Sequence, residues 1–171
     1  MTRDVKPLSK AERDAALQVA RRDRRLKPLL SARYRVVLIE PNLHDIKRPA
    51  AEDVVLGLVD YEKGRSIVAL VDLDGKKVVG VEETDAHFQL SDDEQREAEE
   101  LAAKDARVRT FVGRRRVNPL TRLYFPAHAA VRARSHRFAI VFLRPSASER
   151  RYAVVDLSDR KVVQVLDSLV S

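Results

Sequence analysis

The sequence contains no cysteine and no tryptophan, and only five glycines and one methionine occur among its 171 residues. Without cysteine there can be no disulfide and no thiol catalysis, and a zinc site would have to use histidine and carboxylate ligands. The glycines form no Gly-x-Gly-x-x-Gly motif and no phosphate-binding loop, which excludes the usual nucleotide-binding motifs. No Gly-x-Ser-x-Gly motif for a nucleophilic serine occurs. The sequence therefore predicts no catalytic residues and no cofactor.

Long hydrophobic runs are also missing. No stretch approaches the roughly 18 continuous apolar residues that a membrane span needs, and residues 1–14 lack the apolar segment of a secretory signal. The hydrophobic content of 44% is nevertheless sufficient for a packed core. We therefore expect a cytoplasmic protein that makes no contact with membranes.

The net charge of +7 is distributed unevenly along the chain. Residues 1–60 carry +4, residues 61–110 carry −5 and residues 111–171 carry +8. Arginine supplies 24 of the 33 basic residues, and its planar guanidinium suits bidentate contacts with carboxylates or phosphates. The excess of arginine also fits the composition of a GC-rich genome, so it does not by itself indicate a binding surface.

An internal repeat organises the sequence. Residues 8–30 and 90–112 share seven identities in 23 positions at an offset of 82. Each segment begins with Ser-x-x-Glu, the pattern of a helix capping box, at Ser9 and at Ser91. Each continues with small apolar residues spaced as one face of a helix. These residues are Ala16, Val19 and Ala20 in the first copy and Ala98, Leu101 and Ala102 in the second.

The repeat extends into predicted strands. Residues 67–81 and 151–165 share eight identities in 15 positions at an offset of 84, and both are typical of β-hairpins. The turn dipeptides are Asp74-Gly75 and Ser158-Asp159. Further strands are predicted at 54–61 and 138–145, aligned at the same offset, and at 34–41 and 121–126, where prolines close the strands.

These patterns predict an α+β protein of two tandem units, residues 1–86 and 87–171. Each unit is expected to be an N-terminal helix packed on a curved antiparallel sheet of about four strands, since a sheet of this size needs a cover for its apolar face.

The order of three segments resembles the tandem N-terminal domains that precede the catalytic domain of copper-containing amine oxidases. The segments are RYRVVLIEPNLHDI, LVDLDGKKVVGVEE and LSDDEQREAEELAAKDARVRTFVG. The resemblance covers nearly all of the chain from about residue 8; it is strongest over 72–112 and weakest over 113–135. It implies a cystatin-like fold and an accessory role, in which such domains flank, support or mediate contact.

The catalytic elements of that family are absent from this sequence. Its quinone cofactor forms from a tyrosine in an Asn-Tyr-Asp/Glu motif, and its copper is held partly by a His-x-His pair. The four tyrosines here stand in other contexts, and no two histidines are two residues apart. The sequence therefore predicts a protein that is not an enzyme.

A metal site is not expected, because such a site needs three or four convergent ligands. Histidines are few and scattered along the sequence: His44, His87, His128 and His136. The run from Asp72 to Gly75 superficially resembles a calcium loop, but it lacks the acidic twelfth position and a hairpin turn explains it.

Two charged segments are the predicted partner-binding residues. The basic set lies in the irregular part of the second copy: Arg114, Arg115, Arg116, Arg132 and Arg134. The acidic set lies on the second repeated helix: Asp92, Asp93, Glu97 and Glu100. Because the first repeated helix is basic, the two copies have opposite outer charge, which favours docking of the units on each other, self-association or steering of a partner.

The favoured function is a non-catalytic accessory or protein-interaction module. A small-molecule-binding or enzymatic cup in the curved sheet is one alternative. Binding of a polyanion or nucleic acid through the arginine-rich second copy is another, although the nearby aromatics alternate as in a sheet core and not as in an exposed stacking platform.

Overall fold

The computed structural model describes residues 7–42, 53–126 and 135–167. The chain forms two compact units, Met1–Phe88 and Gln89–Ser171, so the division lies two residues after the predicted boundary. Both units have α+β architecture, with three helices and two four-stranded antiparallel sheets among the described residues. The finer assignment to a cystatin-like fold stays a prediction.

Unit 1 (Met1–Phe88) is one helix followed by a four-stranded meander. Its elements are α1 (Lys10–Arg22), β1 (Tyr34–Pro41), β2 (Asp53–Asp60), β3 (Arg65–Asp72) and β4 (Lys77–Thr84). The sheet order β1-β2-β3-β4 follows the sequence order, and all pairs are antiparallel.

Unit 2 (Gln89–Ser171) repeats this order with an additional helix. Its elements are α2 (Asp92–Lys104), α3 (Ala106–Val112), β5 (Leu120–Tyr124), β6 (Phe138–Leu143), β7 (Arg151–Asp156) and β8 (Lys161–Leu166). The sheet order is again sequential, β5-β6-β7-β8.

Both predicted capping boxes are confirmed. The hydroxyl of Ser9 accepts from the Glu12 N–H while the Glu12 carboxylate accepts from the Ser9 N–H, and Ser91 and Glu94 do the same at α2. The predicted stripe of small residues is also confirmed, because its four alanines are at most 5% exposed. These alanines are Ala16, Ala20, Ala98 and Ala102. Small side chains let each helix lie close to its sheet.

The first helix covers the apolar face of its sheet. Alternate residues of β2 point towards α1, so Val54, Leu56 and Leu58 are buried with Ala16 and Ala20 in one core cluster. The turn that follows α1 adds Leu26 to this cluster. Pro28 stands in this turn where α3 has Thr110, and its missing N–H and ring disfavour the helix that unit 2 forms here.

The predicted hairpins at 67–81 and 151–165 are confirmed, with four-residue turns between paired strands. The carboxylate of Asp72 accepts from the Gly75 N–H at 2.7 Å, and that of Asp156 accepts from the Asp159 N–H at 3.0 Å. The last turn residue has positive φ in each hairpin, 47° at Lys76 and 56° at Arg160.

One part of the predicted alignment is wrong by one residue. Asp53 pairs with Asp72, whereas Phe138 pairs with Asp156, so β6 corresponds to β2 at an offset of 85 and not 84. The chain between Phe138 and Asp156 is one residue shorter than the chain between Asp53 and Asp72. A sequence comparison without gaps cannot detect this difference. At this offset Phe142 corresponds to Gly57. A one-residue shift exchanges the two faces of a strand, so Phe142 lies on the face away from the helix.

The face away from the helix is filled differently in the two units. At Gly57 an added Cβ would lie 2.9 Å from the Leu38 Cβ and 2.9 Å from the Phe88 ring, so this glycine makes room for the aromatic side chain. In unit 2 Phe142 supplies the aromatic ring itself and packs edge-to-face on Tyr152, with 5.3 Å between ring centroids.

None of the helices in the described ranges is long and apolar enough to cross a membrane.

Candidate functional site

The helix–sheet interface is where the two units differ most. By their positions in helix and sheet, Leu17 and Ile39 of unit 1 correspond to Glu99 and Thr121 of unit 2. Leu17 and Ile39 pack against the apolar core. In unit 2 the Thr121 hydroxyl instead donates to the Glu99 Oε1 at 2.7 Å, with Thr121 only 2% exposed. An apolar contact in one copy has become a hydrogen-bonded polar pair in the other.

A pocket of about 310 Å³ opens beside this polar pair, between the helices and the sheet of unit 2. Its apolar wall contains Val108, Val112, Val141, Leu143 and Pro119. Three of these residues correspond to larger ones in unit 1: Val108 to Leu26, Val112 to Leu30 and Val141 to Leu56. Each of these valines is one methylene smaller than its unit 1 counterpart, and in a close-packed interior such differences leave space. The pocket therefore lies between the helices and the helix-facing side of the sheet, and the predicted binding cup stays a prediction.

The segment after the helix is also held differently in the two units. In unit 1 the buried carboxylate of Asp60 accepts hydrogen bonds from the Ser31 N–H and hydroxyl and from the N–H groups of Glu62 and Lys63. Burial raises the pKa of Asp60, but these hydrogen bonds together bring it below its ordinary value. In unit 2, β6 ends at Leu143, the counterpart of Leu58, so the strand has no carboxylate at the Asp60 position.

In unit 2 a glycine, Gly113, begins the segment that follows the helix. It ends α3 with a φ of 62°, in the left-handed region that favours glycine, and an added Cβ there would meet no atom within 4 Å. The residues that follow, through Pro119, form one side of the pocket. Ser31 is its unit 1 counterpart, so a hydrogen-bonded serine has been replaced by a glycine turn.

Three charged side chains line the pocket mouth: Glu99, Arg109 and Arg115. Arg115 pairs with Glu149 and donates to the Phe111 and Val112 carbonyls, at 2.6 Å and 3.1 Å. Hydrogen bonds from Ser146 and from Arg115 lower the pKa of Glu149. The guanidinium of Arg109 is exposed and makes no hydrogen bond or ion pair with any described residue.

The five arginines of the predicted basic set differ in exposure and in pairing, and two of them lie outside the described residues. Arg114 and Arg116 are exposed and have no side-chain partner within the part of the chain that the structure describes. Arg115 is committed to Glu149 and to backbone carbonyls. Arg132 and Arg134 lie outside the described residues. The unpaired charge of this segment therefore comes from Arg114 and Arg116, with Arg109 nearby in sequence.

Most of the predicted acidic set is paired within unit 2. Asp93 pairs with Arg96, Glu97 with Arg160 at 2.8 Å, and Glu100 with Lys104 at 4.0 Å. Asp92 has no ion pair among the described residues and lies in the first turn of α2, where the helix dipole favours negative charge. These pairings reduce the charge that the acidic helix offers to a partner.

Sequence reasoning missed a buried ion pair. Arg137 is only 8% exposed, and its Nε lies 2.5 Å from the Oε1 of Glu94, which is fully buried. Its Nη2 donates to the Glu94 Oε2 at 3.1 Å and to the Gln89 carbonyl at 3.0 Å. The capping-box position of Glu94 gave a structural signal, but only the fold shows that Arg137 reaches it.

An Asp-x-Arg element is shared by both copies of the repeat. The Asp105 carboxylate begins α3 and binds the Arg107 guanidinium through two oxygens, at 3.0 Å and 2.8 Å, and Asp23 holds Arg25 in the same way. The hydrogen bond from the arginine side chain is the largest cause of a lowered pKa at each aspartate. Each arginine also donates to an edge strand, Arg25 to the Val78 carbonyl and Arg107 to the Val162 carbonyl.

One set of side chains has the spacing of metal ligands among the described residues: His136, Asp156 and Asp159, whose ligand atoms lie within 4.8 Å of one another. The His136 Nδ1 is 2.8 Å from the Asp156 Oδ2, and Lys161 Nζ pairs with Asp159 at 2.7 Å. The expectation of no metal site stays a prediction.

No family model matches this sequence, and no curated protein matches it. The resemblance to amine oxidase N-terminal domains stays a prediction.

Proposed function

We propose that this chain is a non-catalytic protein-interaction module whose contact surface lies on unit 2. The observation that carries the proposal is the segment from Gly113 to Arg116, where Arg114 and Arg116 are exposed without a described partner. Both residues are exposed, so their guanidiniums are accessible to carboxylates of another protein.

The difference between the copies supports assigning the contact to unit 2. Unit 1 keeps an apolar helix–sheet core and fixes its post-helix segment through Asp60. Unit 2 has the Glu99–Thr121 hydrogen bond in this interface and no carboxylate at the Asp60 position, and it exposes Arg114 and Arg116 after its helix. We infer that unit 1 has a structural role and that unit 2 carries recognition. The accessory role implied by the family resemblance is part of the same proposal.

Capture from a lysate of the source organism tests the proposal. The lysate is treated with nuclease and washed at moderate salt, and bound proteins are identified by mass spectrometry. The double variant Arg114→Ala/Arg116→Ala is compared with Arg22→Ala/Arg24→Ala, which removes two exposed arginines from unit 1. We expect a stoichiometric protein that is kept by the unit 1 variant and lost by the unit 2 variant.

Nucleic-acid binding is the competing function, and the same experiment separates it. Phe125 is 57% exposed, contrary to the prediction that the nearby aromatics are all sheet core, so one ring is accessible for stacking. If only nuclease-sensitive material is recovered, and the unit 2 variant loses it, the protein-interaction proposal is wrong.

A further inference from the structure

We propose that the pocket of unit 2 is a binding site for a small carboxylate with an apolar body. This proposal is independent of the protein partner inferred above. It concerns the space between the helices and the sheet, and it rests on the shape of that space, its lining and the charges at its mouth.

The size and lining of the pocket favour a small apolar ligand. A volume of about 310 Å³ lies at the lower end of the range for ligand sites, about 300–1,000 Å³. The inner wall is formed by Val108, Val112, Val141 and Leu143, so the buried part of a ligand meets aliphatic carbon. Burying such a chain removes apolar surface of both partners from water, which is the main source of affinity in sites of this kind.

The charges at the mouth favour a carboxylate. Glu99 accepts the Thr121 hydrogen bond, and Arg115 pairs with Glu149, so both charges already have partners. Arg109 has no partner among the described residues, and its guanidinium can hold a carboxylate through two hydrogen bonds.

The comparison between copies gives this site a specific test. Unit 1 has Leu30 where unit 2 has Val112, and Leu56 where unit 2 has Val141. Replacing these valines by leucine introduces the side chains of unit 1 and removes pocket volume without adding a polar group.

The experiment titrates the full chain with three six-carbon probes, hexanoate, hexan-1-ol and hexylamine, and follows the methyl resonances of the pocket valines by NMR. We expect saturable shifts with hexanoate, and binding of hexan-1-ol that is about tenfold weaker, because a hydrogen bond to a charged group contributes at least that factor. Arg109→Gln should bring hexanoate to the level of hexan-1-ol. Lys27→Gln, at the matching position of unit 1, should change nothing.

The variant Val112→Leu/Val141→Leu should lose binding of every probe while keeping the circular dichroism spectrum of the wild type. If this double variant fails to fold, Val112→Leu alone supplies the comparison. The proposal is overturned if hexanoate gives no saturable shift of the pocket methyls, if hexan-1-ol or hexylamine binds as tightly, or if Arg109→Gln binds hexanoate like the wild type.

Discussion

Replacing Arg137 by methionine removes the cation that pairs with the fully buried carboxylate of Glu94. The two side chains are 7% and 0% exposed, and two nitrogens of Arg137 contact two oxygens of Glu94. Removing one partner leaves a charge without its counterion in the interior, which typically costs about 3–5 kcal/mol of unfolding free energy. That is a large part of the roughly 5–15 kcal/mol that stabilises a typical domain.

Urea unfolding at neutral pH, followed by circular dichroism, measures this loss. The double variant Arg137→Met/Glu94→Gln closes a thermodynamic cycle, and we expect its cost to be smaller than the sum of the two single variants, since neither charge is then left alone. Glu12→Gln is the matched control, because Glu12 occupies the same capping-box position in unit 1 but is only half-buried. It should cost about 1 kcal/mol or less. A loss below about 1 kcal/mol for Arg137→Met would refute the buried ion pair as a major stabilising contact.

Three further predictions concern stability, each measured by denaturant unfolding. Gly57→Ala should cost about 1–3 kcal/mol because its Cβ would crowd Leu38 and Phe88, whereas Gly80→Ala, with its nearest neighbour at 3.7 Å, should cost clearly less. Val141→Leu should stabilise unit 2 by up to about 0.8 kcal/mol by filling the pocket with one methylene, and a loss above 1 kcal/mol would show that the pocket cannot accept it. Asp105→Asn should be less stable than the wild type near pH 7. The lowered pKa of Asp105 contributes stability that is present above the unfolded pKa of about 3.9 and is lost as the pH falls through the folded pKa, so this difference should shrink in acid. A difference that does not depend on pH would contradict this assignment.

Much of the fold could be predicted from sequence because its signals are local. The residues that form each capping box, each alanine stripe and each hairpin turn lie within a few positions of one another in the sequence. Their repetition in two copies distinguishes these patterns from chance. The strand at 34–41 has the predicted bounds. The alignment of β6 was wrong because a comparison without gaps cannot show that the β6–β7 hairpin is one residue shorter. Only the strand pairing shows that Phe142 corresponds to Gly57.

The candidate site could be predicted only in part, since its contacts join residues that are distant in sequence. Arg137 lies 43 positions from Glu94, so no local pattern in the sequence links the two residues. The pocket arises from small reductions in side-chain size on α3 and β6, none of which is a motif. The arginine triplet was visible in the sequence, but the pairing of Arg115 with Glu149 depends on the β6–β7 loop.

Hydrogen exchange of the captured complex, read by mass spectrometry, tests the central claim most directly. We expect a bound protein partner to slow hydrogen exchange in peptides covering residues 109–119 of unit 2. Exchange in peptides covering the corresponding residues 27–37 of unit 1 should stay unchanged. Slower exchange confined to unit 1, or unchanged exchange at 109–119 in a stoichiometric complex, would contradict the assignment of recognition to the second copy.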